Sequence, residues 1–186
     1  FSSVFIETKE HVGDLRKLKV IGNIPYNISS QILLRLIGFR DYISTIILMF
    51  QKEVAERIMA SPGTKEYGLL SVINSMYTIP SRVTMVPAGC FYPKPKVDSA
   101  VLKMVVRETP LFETKNADLF FKVVKTAFSK RRKTLLNNLK SSDLLQSSKM
   151  DIDKILNELE IDGQRRGETL TVEEFGKLSN AIFSKM

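Results

Sequence analysis

The sequence predicts an α/β sheet domain followed by a small all-helical one, and three observations carry the prediction. Strand-like β-branched runs alternate with helical stripes up to residue 106. Two late strand-like runs, 79–86 and 100–106, flank a single loop, which implies an antiparallel hairpin at the sheet edge. From Asn116 onward every apolar stripe has helical spacing. Pro110 interrupts the pattern, so the boundary is placed at 107–116 and the domains at 1–108 and 109–186.

Each element has its own justification. Lys19–Ile21 reads as a short strand ending at Gly22, followed by the loop Asn23-Ile24-Pro25-Tyr26. Ser29 and Ser30 are candidate caps for a helix whose stripe is Ile32, Leu33, Leu36 and Ile37 and which Gly38 closes. Residues 43–50 are almost uninterrupted in apolar and β-branched side chains, as in a strand buried on both faces. Gln51–Ala60 has helical composition and stops at Ser61-Pro62-Gly63. The alternation predicts a mainly parallel sheet. Leu69–Tyr77 reads as a further helix. Three helical stripes follow the boundary: Leu119 to Phe128, Leu135 to Leu139, and Ile152 to Leu159.

Bulk properties exclude several classes. A chain of 186 residues, 44% apolar and 26% charged, can bury a core. No apolar run is long enough to cross a bilayer and no secretion signal is visible, so no membrane association and a cytoplasmic address are expected. One cysteine, Cys90, and one histidine, His11, rule out an internal disulfide and a Cys/His zinc cluster. No metal is expected, and the chain is expected to be monomeric. It opens at Phe1 rather than Met, which suggests an incomplete polypeptide.

The net charge of +8 is concentrated. Between Lys115 and Lys149 nine Lys or Arg stand against two Asp, a local +7 of the total. Lys130-Arg131-Arg132-Lys133 is its centre, expected on a packed helix where two arginines can fork onto phosphates and two lysines act as point charges. The weaker candidates have plainer readings. Glu53, Glu56 and Arg57 are expected to form helix-surface pairs, and the methionines at 49, 59, 76, 85 and 104 to fill the core. Lys94 and Lys96 either touch a partner's phosphate or keep their loop soluble.

The loop at 23–26 has the chemistry needed to hold an exocyclic amine. The amine of adenine is a poor nucleophile because its lone pair is delocalised into the ring. Two acceptors for its hydrogens, such as the Asn23 side chain and the Ile24 backbone carbonyl at a strand tip, favour a pyramidal nitrogen. Pro25 fixes the turn without presenting an N–H, and Tyr26 offers a face for an extruded base. The same tetrapeptide also suits a plain turn. Its place at the carboxyl end of a buried strand favours a ligand site.

Five segments, in order over residues 20–139, resemble the ribosomal RNA adenine dimethyltransferases. Val20-Ile21-Gly22-Asn23-Ile24-Pro25-Tyr26-Asn27-Ile28-Ser29 is similar to the family's adenine-binding motif. Phe50 to Arg57 and Tyr67 to Val72 resemble the segments that follow it, and Phe91-Tyr92-Pro93-Lys94-Pro95-Lys96-Val97-Asp98-Ser99-Ala100-Val101 the loop that closes over the base. Ala127 to Leu135 resembles the start of a basic C-terminal helix. The resemblance implies the C-terminal part of a Rossmann-like methyltransferase sheet with an antiparallel edge hairpin, then a small all-α domain that grips RNA.

It further implies that Asn23 lies between the methyl donor, S-adenosylmethionine, and the base. Ile24 would lend its carbonyl, and Tyr26 and Phe91 would stack on either side of the adenine. Within the family the likeness is to small-subunit enzymes, which dimethylate two neighbouring adenosines near the 3′ end of small-subunit ribosomal RNA. The implied partner is that RNA or the pre-ribosomal small subunit. Three alternatives stay open: a non-catalytic RNA-docking or assembly module, a large-subunit methyltransferase, and a mitochondrial transcription factor on the same scaffold. The family's donor loop is not matched: nine glycines form no Gly-x-Gly, and Asp14 stands too near Asn23 to replace the cofactor-binding acid. The chain is therefore expected to bind the donor poorly and to be inactive by itself.

Overall fold

A computed structural model describes residues 4–7, 17–142 and 150–186, so His11 and Asp14 lie outside the described residues. The chain divides into two compact units, Phe1–Met59 with Tyr77–Pro110, and Ala60–Met76 with Leu111–Met186.

The first unit is built on one five-stranded sheet of order β1-β2-β3-β5-β4. Its strands are β1 (Val4–Glu7), β2 (Leu18–Asn23), β3 (Ile43–Gln51), β4 (Thr78–Val86) and β5 (Ser99–Val106). Helices α1 (Ser29–Gly38) and α2 (Lys52–Met59) pack on it, α1 on β3 and α2 on β3, β4 and β5. The parallel pairing of β2 with β3 follows from the crossover through α1. The expectation of a mainly parallel sheet needs correction. Strand β1 runs antiparallel to β2, and β5 enters between β3 and β4, antiparallel to both. The expected edge hairpin is there, and β4 forms the rim.

Alternation decides which side chains reach the core. In β3, Ile46, Leu48 and Phe50 are sealed from solvent while their neighbours are half-buried, so the strand is less symmetrically covered than its composition suggests. Leu33 and Ile37 of α1, Ile58 of α2, and Leu102 and Met104 of β5 complete the core. Full burial of each such side chain is worth about 1.5–3 kcal/mol. Met59 and Met85 are exposed, unlike the buried Met76 and Met104, so not every methionine fills the core.

On the rim, Pro80 pairs with Met104, and the β4 register slips between Arg82 and Thr84. Ile79, Val83 and Met85 of this strand are exposed. On α2, Glu53 pairs with Arg57 and Glu56 with Lys52, one helical turn apart, as expected.

The second unit is helical: α3 (Leu69–Tyr77, apart from its last residue), α4 (Ala117–Ala127), α5 (Leu135–Lys140), α6 (Ile152–Glu158) and α7 (Val172–Phe183). Packing runs α4 on α5, α5 on α6, α6 on α7 and α7 back on α4. Residues 60–76 belong with these helices, whereas the sequence boundary assigned them to the sheet domain. The physical reason is a row of rings. Tyr67 meets Phe128 edge-on at 6.0 Å, and Phe128 meets Phe175 at 5.8 Å. The Gly63 N–H also donates to the Glu168 carbonyl at 2.7 Å.

Helix α7 was not anticipated, although Thr171 and Glu174 spell its signal. The Thr171 hydroxyl accepts from the Glu174 N–H while the Glu174 carboxylate accepts from the Thr171 N–H. Arg165 then forks onto that carboxylate at 2.5 and 3.1 Å.

Candidate functional site

Strand β2 delivers the loop. Its last residues, Gly22 and Asn23, pair with Leu48 and Met49 of β3, so the chain leaves the sheet at the carboxyl ends of two parallel strands. Ile24 turns inward and is 3% exposed, which anchors the exit. Pro25 is extended at φ −60° and ψ 130°, and residues 26–28 make one tight turn. That turn uses its own groups: the Ile28 N–H donates to the Pro25 carbonyl at 3.3 Å, and the Ser29 hydroxyl to the Tyr26 carbonyl at 3.0 Å.

Ser29 is thus the first residue of α1 rather than its cap. Ile28 holds the cap position, and no side chain bonds there. The Asn23 side chain is exposed, and neither it nor the Ile24 carbonyl has a hydrogen-bond partner among the described residues. Two acceptors on consecutive residues at the strand tip are thus without a partner among the described residues, Asn23 exposed and Ile24 buried.

Tyr26 is fixed from the far side. Its hydroxyl lies 2.6 Å from the hydroxyl of Ser99, the first residue of β5 and fully buried. Ser99 is also the foot of the 87–98 loop. The Asp98 carboxylate accepts from the Ala88 N–H at 2.9 Å and closes that loop on itself, while the Asp98 carbonyl accepts from the Lys52 N–H at 2.9 Å. Phe91 sits half-buried inside the closed loop, with its N–H donating to the Ala88 carbonyl. Lys94 and Lys96 are exposed beyond it.

The structure therefore ties the 23–26 tip and the Phe91 loop together through the Tyr26–Ser99 bond. Asp98 and Ser99 stand in the quoted motif, yet their fastening roles are not readable from it, because each bond spans a fold-dependent distance. Tyr92 also escaped the sequence reading and is fully exposed on the same loop.

The basic cluster differs from expectation. Lys130 to Lys133 form the turn between α4 and α5, not a stretch of helix. Two residues stop the helix there. Phe128 ends α4, and the Thr134 hydroxyl caps α5 by accepting from the Asn137 N–H.

The turn is held by Asn138, 1% exposed, whose amide nitrogen donates to the Ala127 carbonyl at 2.9 Å and the Lys130 carbonyl at 3.2 Å. Arg131 is committed elsewhere: its guanidinium donates to the Lys65 carbonyl at 2.5 Å and lies 3.5 Å from the Glu168 carboxylate. Lys130, Arg132 and Lys133 are exposed and have no side-chain partner among the described residues. Of the four cations, Arg131 is the one held by other described residues.

Residues that would hold S-adenosylmethionine are sparse. The strand ends around Asn23 carry no glycine-rich loop, and the nearby Asp98 carboxylate is used by Ala88. Glu7 pairs in register with Lys19, at the opposite end of β2. Beyond Asn23 itself, the described residues do not fit the donor. No group of carboxylates, cysteines or histidine able to hold a metal occurs among them, and no described helix is long and apolar enough to cross a membrane.

Known proteins are similar to this chain in sequence and in fold. The chain is 46% identical over 168 residues to the ribosomal RNA small subunit methyltransferase A of Syntrophus aciditrophicus, covering 90% of this chain and 60% of that protein. Against the protein of the same name from Desulforapulum autotrophicum the identity is 48%, with 90% and 59% covered. The chain thus spans about 60% of the length of these relatives. Among solved structures, a dimethyladenosine transferase from Plasmodium falciparum superposes with a TM-score of 0.72 at 29% identity, covering 84% of this chain and 63% of that one. The family model for ribosomal RNA adenine dimethylase matches residues 3–177, and the chain belongs to that family.

Proposed function

We propose that the complete polypeptide transfers methyl groups to the exocyclic N6 amines of two adjacent adenosines near the 3′ end of small-subunit ribosomal RNA, in the cytoplasm, as a step of ribosome biogenesis. S-adenosylmethionine supplies the methyl group when the complete polypeptide holds it. The residues of this chain act on the base. Asn23 and the Ile24 carbonyl each accept one amine hydrogen, which localises the nitrogen lone pair and turns it toward the donor. Pro25 keeps the strand tip from offering a competing donor, and Tyr26 and Phe91 sandwich the extruded purine. Lys94, Lys96, Lys130, Arg132 and Lys133 meet phosphates, with Arg131 bracing the basic turn.

The observation that carries this reading is the 2.6 Å bond from Tyr26 to Ser99. It sets one stacking ring at the foot of the loop that bears the other, before any base arrives. The name carried by the relatives, ribosomal RNA small subunit methyltransferase A, supports the choice of substrate.

A second reading suits the 186-residue chain by itself: an RNA-docking module without catalysis. It is favoured by the poor fit of its described residues to the methyl donor. One experiment addresses both. Methyl incorporation into small- and large-subunit ribosomal RNA is measured with the complete polypeptide and its Asn23→Ala variant, beside filter binding of the same RNAs. The variant should lose at least about a hundredfold in methyl transfer to the small-subunit RNA and keep its RNA affinity. Lost binding with turnover intact would reverse the assignment, and preference for the large-subunit RNA would replace the substrate.

A further inference from the structure

We propose that the helical unit carries a second RNA contact, adjoining the basic turn at Lys130: a groove along α4 that takes a single-stranded segment, with phosphates on Lys122 and Lys125 and a base against Phe183. The proposal rests on the reading that this chain meets RNA.

The groove has a volume of about 900 Å3, and every described residue that lines it belongs to the helical unit. Lys122 and Lys125 stand three residues apart and so share one face of α4. Lys130 follows at the end of the same wall. None of the three has an ion pair or side-chain hydrogen bond among the described residues. Against them the described lining holds one side-chain carboxylate, Asp118, so three side-chain cations less one anion leave +2, and the terminal carboxylate of Met186 in the 186-residue chain lowers this to +1. Like charges gathered in a concavity raise its potential and repel one another until an anion arrives.

Form and chemistry select the occupant. The groove runs from Asn116 at the cap of α4 to Lys130 beyond its end, alongside 11 helical residues. At 1.5 Å per residue that is about 16 Å, the reach of a polymer rather than of one small anion. Its far wall includes Phe183, the last residue of α7, which leaves 41% of its surface in solvent. An exposed ring beside unpaired lysines is the pairing that single strands use, backbone on cations and base on an aromatic face. A duplex keeps its bases stacked inside and cannot offer one to Phe183. Arg132 and Lys133 do not line the groove, so the two contacts are separable.

The test is fluorescence anisotropy of the 186-residue chain with an unstructured, adenosine-rich RNA oligonucleotide over a range of salt concentrations. The double variant Lys122→Gln/Lys125→Gln should lower the slope of log affinity against log salt by about 1.4, or about 0.7 for each phosphate lost from a single strand. Lys122→Arg/Lys125→Arg should restore it. Phe183→Ala should weaken binding on the order of tenfold and leave the slope unchanged. All three residues are on the surface side of their helices, and thermal melting followed by circular dichroism should match the parent.

Arg132→Gln/Lys133→Gln serves as the comparison and should lower the slope additively. An unchanged slope in the lysine variant, or undiminished affinity in Phe183→Ala, overturns the groove while leaving the proposed methyl transfer standing. A parent chain whose RNA binding ignores salt overturns the RNA reading on which the groove depends.

Discussion

Removing the Asn138 amide should unfasten the basic turn, and the size of the effect follows from its contacts. The side chain is 1% exposed, donates to the carbonyls of Ala127 and Lys130, and lies 3.4 Å from the Ser129 hydroxyl. Each lost donation is worth about 1 kcal/mol. At the buried end of α4 water does not readily replace the amide, so stranding a carbonyl costs about 1–3 kcal/mol. Asn138→Ala should therefore destabilise the chain by about 3 kcal/mol. Asn138→Asp keeps the volume but aims a carboxylate at the same two carbonyls, and it should cost at least as much.

The assay is urea unfolding at constant m-value, with hydrogen exchange of peptides spanning 127–138 to locate the loss. A pronounced loss in the alanine variant with a benign aspartate variant would mean that packing, not hydrogen bonding, holds the turn. Losses under about 1 kcal/mol in both would refute the clamp altogether.

Further outcomes are expected. A Cβ added at Gly167 would lie 2.9 Å from the Ala127 carbonyl oxygen, which is backbone and cannot swing aside. Gly167→Ala should thus cost about 1–3 kcal/mol in the same urea titration. Burial alone would raise the Glu174 carboxyl, but the Arg165 guanidinium and the Thr171 N–H outweigh it and hold the group below its usual 4.5. A depressed acid stabilises above its unfolded pKa and loses that support as pH falls through its folded one. Glu174→Gln should therefore flatten the fall in melting temperature below about pH 4.5 without affecting RNA binding. Calorimetric titration of the 186-residue chain with S-adenosylmethionine should give weak heat or none, and tight binding would contradict the poor fit around Asn23.

Much of the site was legible because it is local. Asn23 to Tyr26 are consecutive residues at a strand end, and both the strand and its buried neighbour β3 announce themselves in β-branched side chains. The basic turn misled for a local reason as well. Apolar stripes on both sides suggested one continuous helix, and the breaks lie in the cap at Thr134 and in a buried amide eight residues beyond Lys130. Membership of residues 60–76 in the helical unit depends on Tyr67 finding Phe128 across 61 positions of sequence, which no periodicity records. Strand β1 was missed too, because four residues are too few to establish an alternation.

The rim strand β4 bears on how the protein behaves in concentrated solution. Three apolar side chains on an unpaired edge would ordinarily invite another chain to add itself, one ladder rung at a time. Pro80 removes one rung, having no N–H to offer, and the slip at Val83 puts the next rungs out of step. An incoming strand finds no uninterrupted template, and exposed Arg82 in the middle of the same strand adds a charge to the two faults in its spacing.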